Sequence, residues 1–391
     1  MSVTPSDPFI VAERPAGPVL DKAGAVRRIQ SETSASPLEV MLDLIRLARG
    51  PGRIQLTDYI RLRLFDRDLW QEKDRNEVVG EKQNRLIADL LNDDREWVAV
   101  LRNKVAAAAY LGAYGLPVVP TIALWQRGAA ARLSGHVLAD EADLVSFLRN
   151  EARYPLFGKP IDGLQSLGAV ALEKLSGDKQ SIAISTGGRI SVETLANQIA
   201  KEFEEFIFQP RLSPHPDIAP LSAGHLATVR LLTLNMGDGA RVLRACMKLN
   251  AAENAADNYW CPGNLLAQID MASGALVAAT TGLGFDLQTT EYHPDTGVPI
   301  PGVRIPLWTD IVNLGVAGAE VMRHVPLIGW DIGISAQGAV IVEMNETPDF
   351  LLPQLADRAG LLEPDLIDAL RHRKGVVEVV GKRRLARLLA K

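Results

Sequence analysis

The sequence predicts an α+β protein, and three observations carry that class. Apolar residues recur at helical spacing in successive segments as far as about Leu111. Beyond that point short β-favouring runs dominate, such as EFIFQP and ATVRLLTLN. Glycine-bearing turns join neighbouring runs into hairpins, and hairpins make antiparallel sheets. The expected architecture is a mainly helical N-terminal region followed by two α/β subdomains built on antiparallel sheets.

Residues 1 to about 36 are rich in Pro, Ser and Ala without periodicity and read as a loosely held arm. A helix is expected over PLEVMLDLIRLARG, beginning after Ser36 and stopped by Gly50-Pro51. NRLIADLL and NKVAAAAYLGAYG are further helical segments, and the first region is placed at 1–97. A second unit, 98–220, takes strands in LPVVPTIALW, YPLFGKP, SIAIS and EFIFQP and helices over 139–150 and 192–205. A third, 221–372, takes ATVRLLTLN, ARVLRACMKLN, LLAQID and ALVAATT, a helix over 308–324 and the pair GWDIGIS and AVIVEMN. The last stretch, 373–391, contains GKRRLARLLAK and reads as a basic helix with a solvated face. No internal repeat is visible.

At 391 residues, 47% hydrophobic and 23% charged, the chain is globular and long enough for two or three subdomains. A net charge of −5 gives no sign of a nucleic-acid partner. Two cysteines, Cys246 and Cys261, form neither a disulfide framework nor a metal-ligand spacing, so a reducing cytoplasm is expected. The first residues lack a signal-peptide pattern, and no apolar run is long enough for a bilayer, so membrane insertion is not expected.

Three groups of residues point to chemistry. A turn centred on Gln337 places Asp331 directly opposite Glu343, with Asn345 on the same face. Opposed carboxylates repel, which raises the pKa of one of them, and a hard cation such as Mg²⁺ bridging them reverses the sign. A solvated hairpin face carrying the same residues needs no ligand. A hairpin turning at Gly237-Asp238-Gly239 puts Arg230, Arg244 and Lys248 on one face, an anion grip if buried and a basic surface if not. FGKP ends a strand and is followed by Gly163, Ser166 and Gly168, a turn able to drape backbone N–H groups over phosphates beside Lys159. It is not a Walker loop, because no Lys-Ser/Thr follows, and no GxGxxG follows a strand.

In chain order, NK at Asn103-Lys104, FGKPIDGLQSLGA, FIFQPRL, ATVRLLTL with Arg244, GWDIGIS and VEMNETP resemble the ATP-grasp superfamily. The likeness is strongest to its sugar-transfer-associated branch, through Thr228–Arg230, Asp257-Asn258, His293–Gly297 and Gly329–Ile332, and it covers roughly residues 98–355. The resemblance implies the ATP-grasp fold, whose two subdomains grip ATP, and assigns Lys104 and Lys159 to its phosphates. It makes Gly163–Gly168 the lid and Gln209, Arg211 and Leu212 part of the adenine hinge, with Asp217 at the ribose. Asp331, Glu343 and Asn345 become ligands of Mg²⁺, two ions being expected, and Arg230 and Arg244 the catalytic charges. Lys248, Asn258 and His293 are the substrate candidates. The implied reaction is ATP-dependent ligation of a carboxylate to an amine or another nucleophile through an acyl phosphate. A small-molecule or glycan-linked substrate follows from the branch, with a role in cell-surface polysaccharide modification. A kinase acting on a small molecule or sugar and a non-catalytic nucleotide-binding module are the alternatives. The chain departs from the branch in PRLSPHPD, which has no glutamate, and in Pro262-Gly263-Asn264, where paired glycines are usual.

Overall fold

The computed structural model describes residues 22–129, 136–162, 168–185, 187–251, 254, 256–371 and 373. The basic stretch over 381–391 and Gly163 and Ser166 lie outside them. Among the described residues seven helices come first: α1 (Lys22–Glu32), α2 (Pro37–Arg49), α3 (Leu56–Arg61), α4 (Glu72–Glu77), α5 (Glu81–Leu91), α6 (Arg95–Arg102) and α7 (Lys104–Ala113). The arm expected over residues 1–36 is therefore helical from Lys22. Ile29 of α1 clusters with Val40 and Leu47 of α2, and so short an apolar signal does not register as periodicity. α2 starts where expected, because Ser36 and Glu39 form a reciprocal capping box.

The first sheet holds β1 (Ala123–Gln126), β2 (His136–Leu138), β3 (Leu156–Pro160), β4 (Val170–Leu175), β5 (Ser181–Ile184), β6 (Arg189–Ser191) and β7 (Glu205–Pro210). Their order across it is β2-β1-β7-β3-β4-β5-β6; β1 and β2 are parallel and the other neighbours antiparallel. Of LPVVPTIALW only Ala123 onward joins this sheet, since Pro117 and Pro120 have no N–H to give a ladder. α8 (Glu141–Ser146) and α9 (Val192–Glu202) cover one face, where Leu144, Leu195 and Ile199 cluster with Leu156, Leu172 and Phe208.

The second sheet holds β8 (Thr228–Asn235), β9 (Ala240–Leu249), β10 (Leu265–Asp270), β11 (Ala275–Thr281), β12 (Gln288–Thr290), β13 (Leu327–Ser335) and β14 (Gly338–Asn345). It is antiparallel throughout, in the order β12-β11-β10-β9-β8-β13-β14. On one face Leu231, Met247 and Trp330 pack against α10 (Trp308–Val321). The opposite face is roofed by α11 (Leu351–Asp357), α12 (Pro364–Arg371) and the N-terminal helices. There Cys246 and Leu266 cluster with Tyr59 and Leu355, and Leu232 and Leu327 with Ile87 and Leu366. Side-chain alternation puts Arg230 and Lys248 on this roofed face with Cys246. Among the described residues no helix is long and apolar enough to cross a membrane.

Candidate active site

The β13–β14 hairpin sets the geometry. Asp331 pairs with Glu343 and Gly329 with Asn345. The turn differs from the three-residue connection expected around Gln337. Ser335 already pairs with Gly338, leaving Ala336 and Gln337 as a two-residue turn, and Val342 is an extra residue bulged between Ile341 and Glu343. The Ser335 hydroxyl fixes the turn by donating to Gly338 O at 2.7 Å and accepting from Gln337 N at 3.2 Å. The bulge restores the register that the tighter turn would have slipped. Gly329 is required here, since a Cβ on it would stand 2.8 Å from Pro348.

Across the sheet the row continues from Asp331 to Arg230 on β8. Arg230 holds Asp331 with both prongs, Nε to Oδ1 at 2.6 Å and Nη2 to Oδ2 at 3.0 Å. Lys248 Nζ stands 3.2 Å from Asp331 Oδ2 and 3.3 Å from Asp257 Oδ1. The expected repulsion between Asp331 and Glu343 is thereby overruled for Asp331. Burial alone would raise its pKa, but Arg230 and Lys248 outweigh burial and hold the carboxyl well below its ordinary range. Glu343 faces Lys104, at 3.5 Å. Lys104 opens α7 behind Asn103, whose side chain caps that helix, and its Nζ donates to Ile161 O at 3.0 Å. Lys159, on β3, is buried and its Nζ lies 3.5 Å from Val342 O. Burial, helped by the charge on Lys104 and opposed by Glu343 and Asp331, brings its pKa down to about 8.

These groups border one cavity of about 650 Å³ between the sheets. From the first sheet it takes Phe157, Lys159 and Gln209, from the residues after β7 Arg211 and Leu212, and from the second sheet Arg230, Lys248, Asp331, Glu343 and Asn345. Lys104 and Asn258 complete the expected residues that line it. Gln209 donates to Val119 O at 3.3 Å, and Arg211 pairs with Glu173. Gly168, with φ 73° beside Phe203, is not among the cavity residues. The loop carrying Asn258 is knotted by Asn264, which accepts from Ala251 N at 2.7 Å and donates to Asn258 O at 2.8 Å.

Three further expected residues are placed elsewhere. Arg244 shares the face of Arg230 but lies under α11, where Nη1 meets Asp357 at 2.7 Å and Nε meets Glu363 at 2.7 Å. His293 is fully buried with Nε2 2.8 Å from Asn250 O, so it braces a turn. Asp217 is three-quarters exposed beside His215 and is not among the cavity residues.

Sequence reading missed the wall made by the N-terminal helices. Asn84 Nδ2 donates to Pro348 O at 2.7 Å, and Asn92 Nδ2 donates to Glu346 O at 2.6 Å and to Leu327 O at 2.8 Å. α5 and Asn92, which ends it, thus clamp the NETP segment that starts at Asn345. The available signal was Asn84 inside α5, a poor helix former that needs a tertiary reason, whereas Asn92 only ends that helix.

Among the described residues no group of three or more His, Cys, Asp or Glu able to hold a metal is found. The residues nevertheless fit a hard divalent cation, because Glu343, Asn345 and Asp331 offer two carboxylates and an amide oxygen at one cavity wall. A nucleoside triphosphate fits beside them, since Lys104, Lys159, Arg230 and Lys248 converge on the same space.

The pattern of the sugar-transfer associated ATP-grasp family matches residues 82–368. No curated protein matches the chain. Among solved structures, the D-alanine-D-alanine ligase from Coxiella burnetii is 13% identical with a TM-score of 0.37, over 75% of this chain and 61% of that one. The VanG D-Ala:D-Ser ligase from Enterococcus faecalis is 16% identical with a TM-score of 0.37, over 70% and 62%. The biotin carboxylase from Campylobacter jejuni is 9% identical with a TM-score of 0.40, over 73% and 47%. The chain spans less than two thirds of the length of each of these three proteins. With most of its length matched, from the fifth helix to the twelfth, the protein belongs to the sugar-transfer associated ATP-grasp family.

Proposed function

We propose that the protein joins a carboxylate to an amine at the expense of ATP, through an acyl phosphate. The observation that supports this most is the row Arg230, Asp331 and Glu343 across the second sheet, facing Lys159 of the first over one cavity. In that row the acidic groups are held by the protein's own cations, Asp331 by Arg230 and Lys248 and Glu343 by Lys104. A triphosphate entering with its metal lets both sides exchange partners, the lysines turning to phosphate oxygens, so no buried charge is left alone.

Lys104 and Lys159 neutralise phosphate charge, and the Gln209–Leu212 segment reads the base. Arg230 orients the oxygens of the reacting phosphoryl group with its planar fork. The carboxylate oxygen attacks the γ-phosphorus, the bond to the bridging oxygen breaks and ADP leaves. The amine nitrogen then attacks the acyl carbon, inorganic phosphate leaves with the C–O bond pair, and the nitrogen's proton passes to solvent. Mg²⁺, held by Glu343, Asn345 and Asp331, would supply charge neutralisation at the β- and γ-phosphates. The sugar-transfer association of the family supports a glycan or glycan precursor as one substrate.

Calorimetric titration with ATP, with and without Mg²⁺, tests this reading. Wild type is expected to bind ATP more tightly with Mg²⁺, and Glu343→Gln to lose most of that increment while keeping its metal-free affinity. Absence of ATP binding by wild type, or an equal Mg²⁺ increment in both proteins, overturns it.

A further inference from the structure

α2 is apolar on two opposite faces. Val40 and Leu47 point inward and cluster with Ile29, Ile54 and Tyr59, which anchors the helix to the N-terminal core. Leu38, Met41 and Leu42 point the other way and are 58%, 50% and 55% exposed. With half-buried Ile45 they recur at i, i+3, i+4 and i+7, one stripe down the solvent side of the helix. Among the described residues no other helix carries two exposed large apolar side chains. Single exposed leucines are ordinary, whereas a continuous stripe marks a surface that meets a partner.

The charge around the stripe selects the partner. In a chain of net charge −5, α1 and α2 expose Arg27, Arg28, Arg46 and Arg49 against Glu32 and Glu39. Asp43, the remaining acid of α2, is buried and shared between Arg46 at 2.9 Å and the buried Arg75, so it does not cancel the surplus. At 100° per residue Arg49 continues the stripe and Arg46 flanks it. Glu39 lies on the same flank, turned back to accept from Ser36 N at 2.7 Å. A second copy of the chain fits this surface poorly. Four side chains of one helix cover only part of the roughly 1,000 Å² that a stable contact between proteins needs, and two like-charged surfaces would have to meet. An anionic lipid surface accepts both features, apolar side chains at the acyl boundary and arginines at the headgroup phosphates.

We propose that α2 is a peripheral membrane anchor, laying Leu38, Met41, Leu42 and Ile45 into an anionic lipid surface with Arg46 and Arg49 on the headgroups. The helix lies in the interface and does not cross the bilayer. This inference is independent of the ligase reading, and α2 lies outside the span that the family pattern covers. Tyr59 of α3 donates to Asp43 of α2 at 2.8 Å, and Arg61 of α3 lines the cavity, so a single helix joins the anchor to the site.

The full chain is co-sedimented with vesicles of phosphatidylcholine alone and of phosphatidylcholine with an equal part of phosphatidylglycerol, at about 0.1 M NaCl. Wild type is expected to bind the anionic vesicles at least tenfold more tightly than the neutral ones. The double change Met41→Ser with Leu42→Ser should lose at least tenfold of that affinity at an unaltered melting temperature, since both side chains already face water. Arg49→Gln should lose about threefold. Leu42→Ser alone replaces the double variant if that one fails to fold by circular dichroism. Wild type that ignores anionic vesicles overturns the proposal. So does equal binding to both vesicle types, or a serine variant that binds as well as wild type, which would place adsorption on basic residues elsewhere. Sedimentation velocity without lipid supplies the last arm. A wild-type dimer that the serine variant loses would make the stripe a contact between copies and overturn the lipid assignment.

Discussion

Two neighbouring rungs of the β8–β9 hairpin, Arg230 opposite Cys246 and Arg244 opposite Leu232, carry the same residue type on the same face and put it to different use. Near the open end Arg230 is buried under the cavity and grips Asp331. Toward the turn Arg244 is clamped between Asp357 and Glu363 beneath the loop that joins α11 to α12. Strand alternation decides which face a side chain takes, and the roof above that stretch decides what it meets. Where helices close over the sheet and bring their own carboxylates, an arginine becomes a fastener. Where the roof leaves a void, it stays available to a ligand.

The largest expected effect lies at the open end. Arg230→Lys should lower ADP formation at least about 100-fold, or about 2.7 kcal/mol of transition-state stabilisation, because an ammonium cannot replace the bidentate fork. Its melting temperature should move little, since Lys248 still neutralises Asp331. Arg244→Ala should do the reverse, costing roughly 2–3 kcal/mol of stability by leaving two part-buried carboxylates unpaired, with ADP formation within twofold of wild type below its melting point. Thermal melts and turnover on both variants decide the comparison. An Arg244→Ala protein that is folded and inactive would erase the distinction between the two arginines.

The smallest effect is a pH dependence. Burial holds Lys159 down to about 8, and phosphates favour its charged form, so ATP binding takes up a proton above that pH. Affinity should be flat below about pH 8 and fall up to about tenfold per unit above it, a slope removed in Lys159→Arg. For the free protein the sign is opposite. Between the folded pKa and the ordinary lysine value the unfolded chain binds more protons, so this group adds stability as pH rises through that window. Calorimetry across pH 7–10 measures the first effect and denaturant titration the second.

Much of the site is legible because it is local. The pairing of Asp331 with Glu343 and the shared face of Arg230 and Lys248 follow from turn position and period two. What local pattern leaves out has a physical reason in each case. Val342 bulges because the turn is one residue tighter than glycine placement suggests. HPDTG looks like a ligand loop, yet His293 is spent on Asn250 O, a contact between segments 43 residues apart. Arg244 and Asn84 take their roles from partners on distant elements, which no periodicity encodes.

The grip of α5 on the NETP segment also bears on how the molecule is assembled. Asn84 and Pro348 are 264 positions apart, and Asn92 and Glu346 are 254 apart. Closing loops of that size is slow and carries a large entropic cost, so these contacts belong to the last stages of folding. During synthesis the early helices must wait, with Tyr59, Ile87 and Leu91 exposed, until the second sheet exists to receive them. Binding competence therefore arrives late and all at once, and a truncated or stalled chain would present apolar helix faces to chaperones.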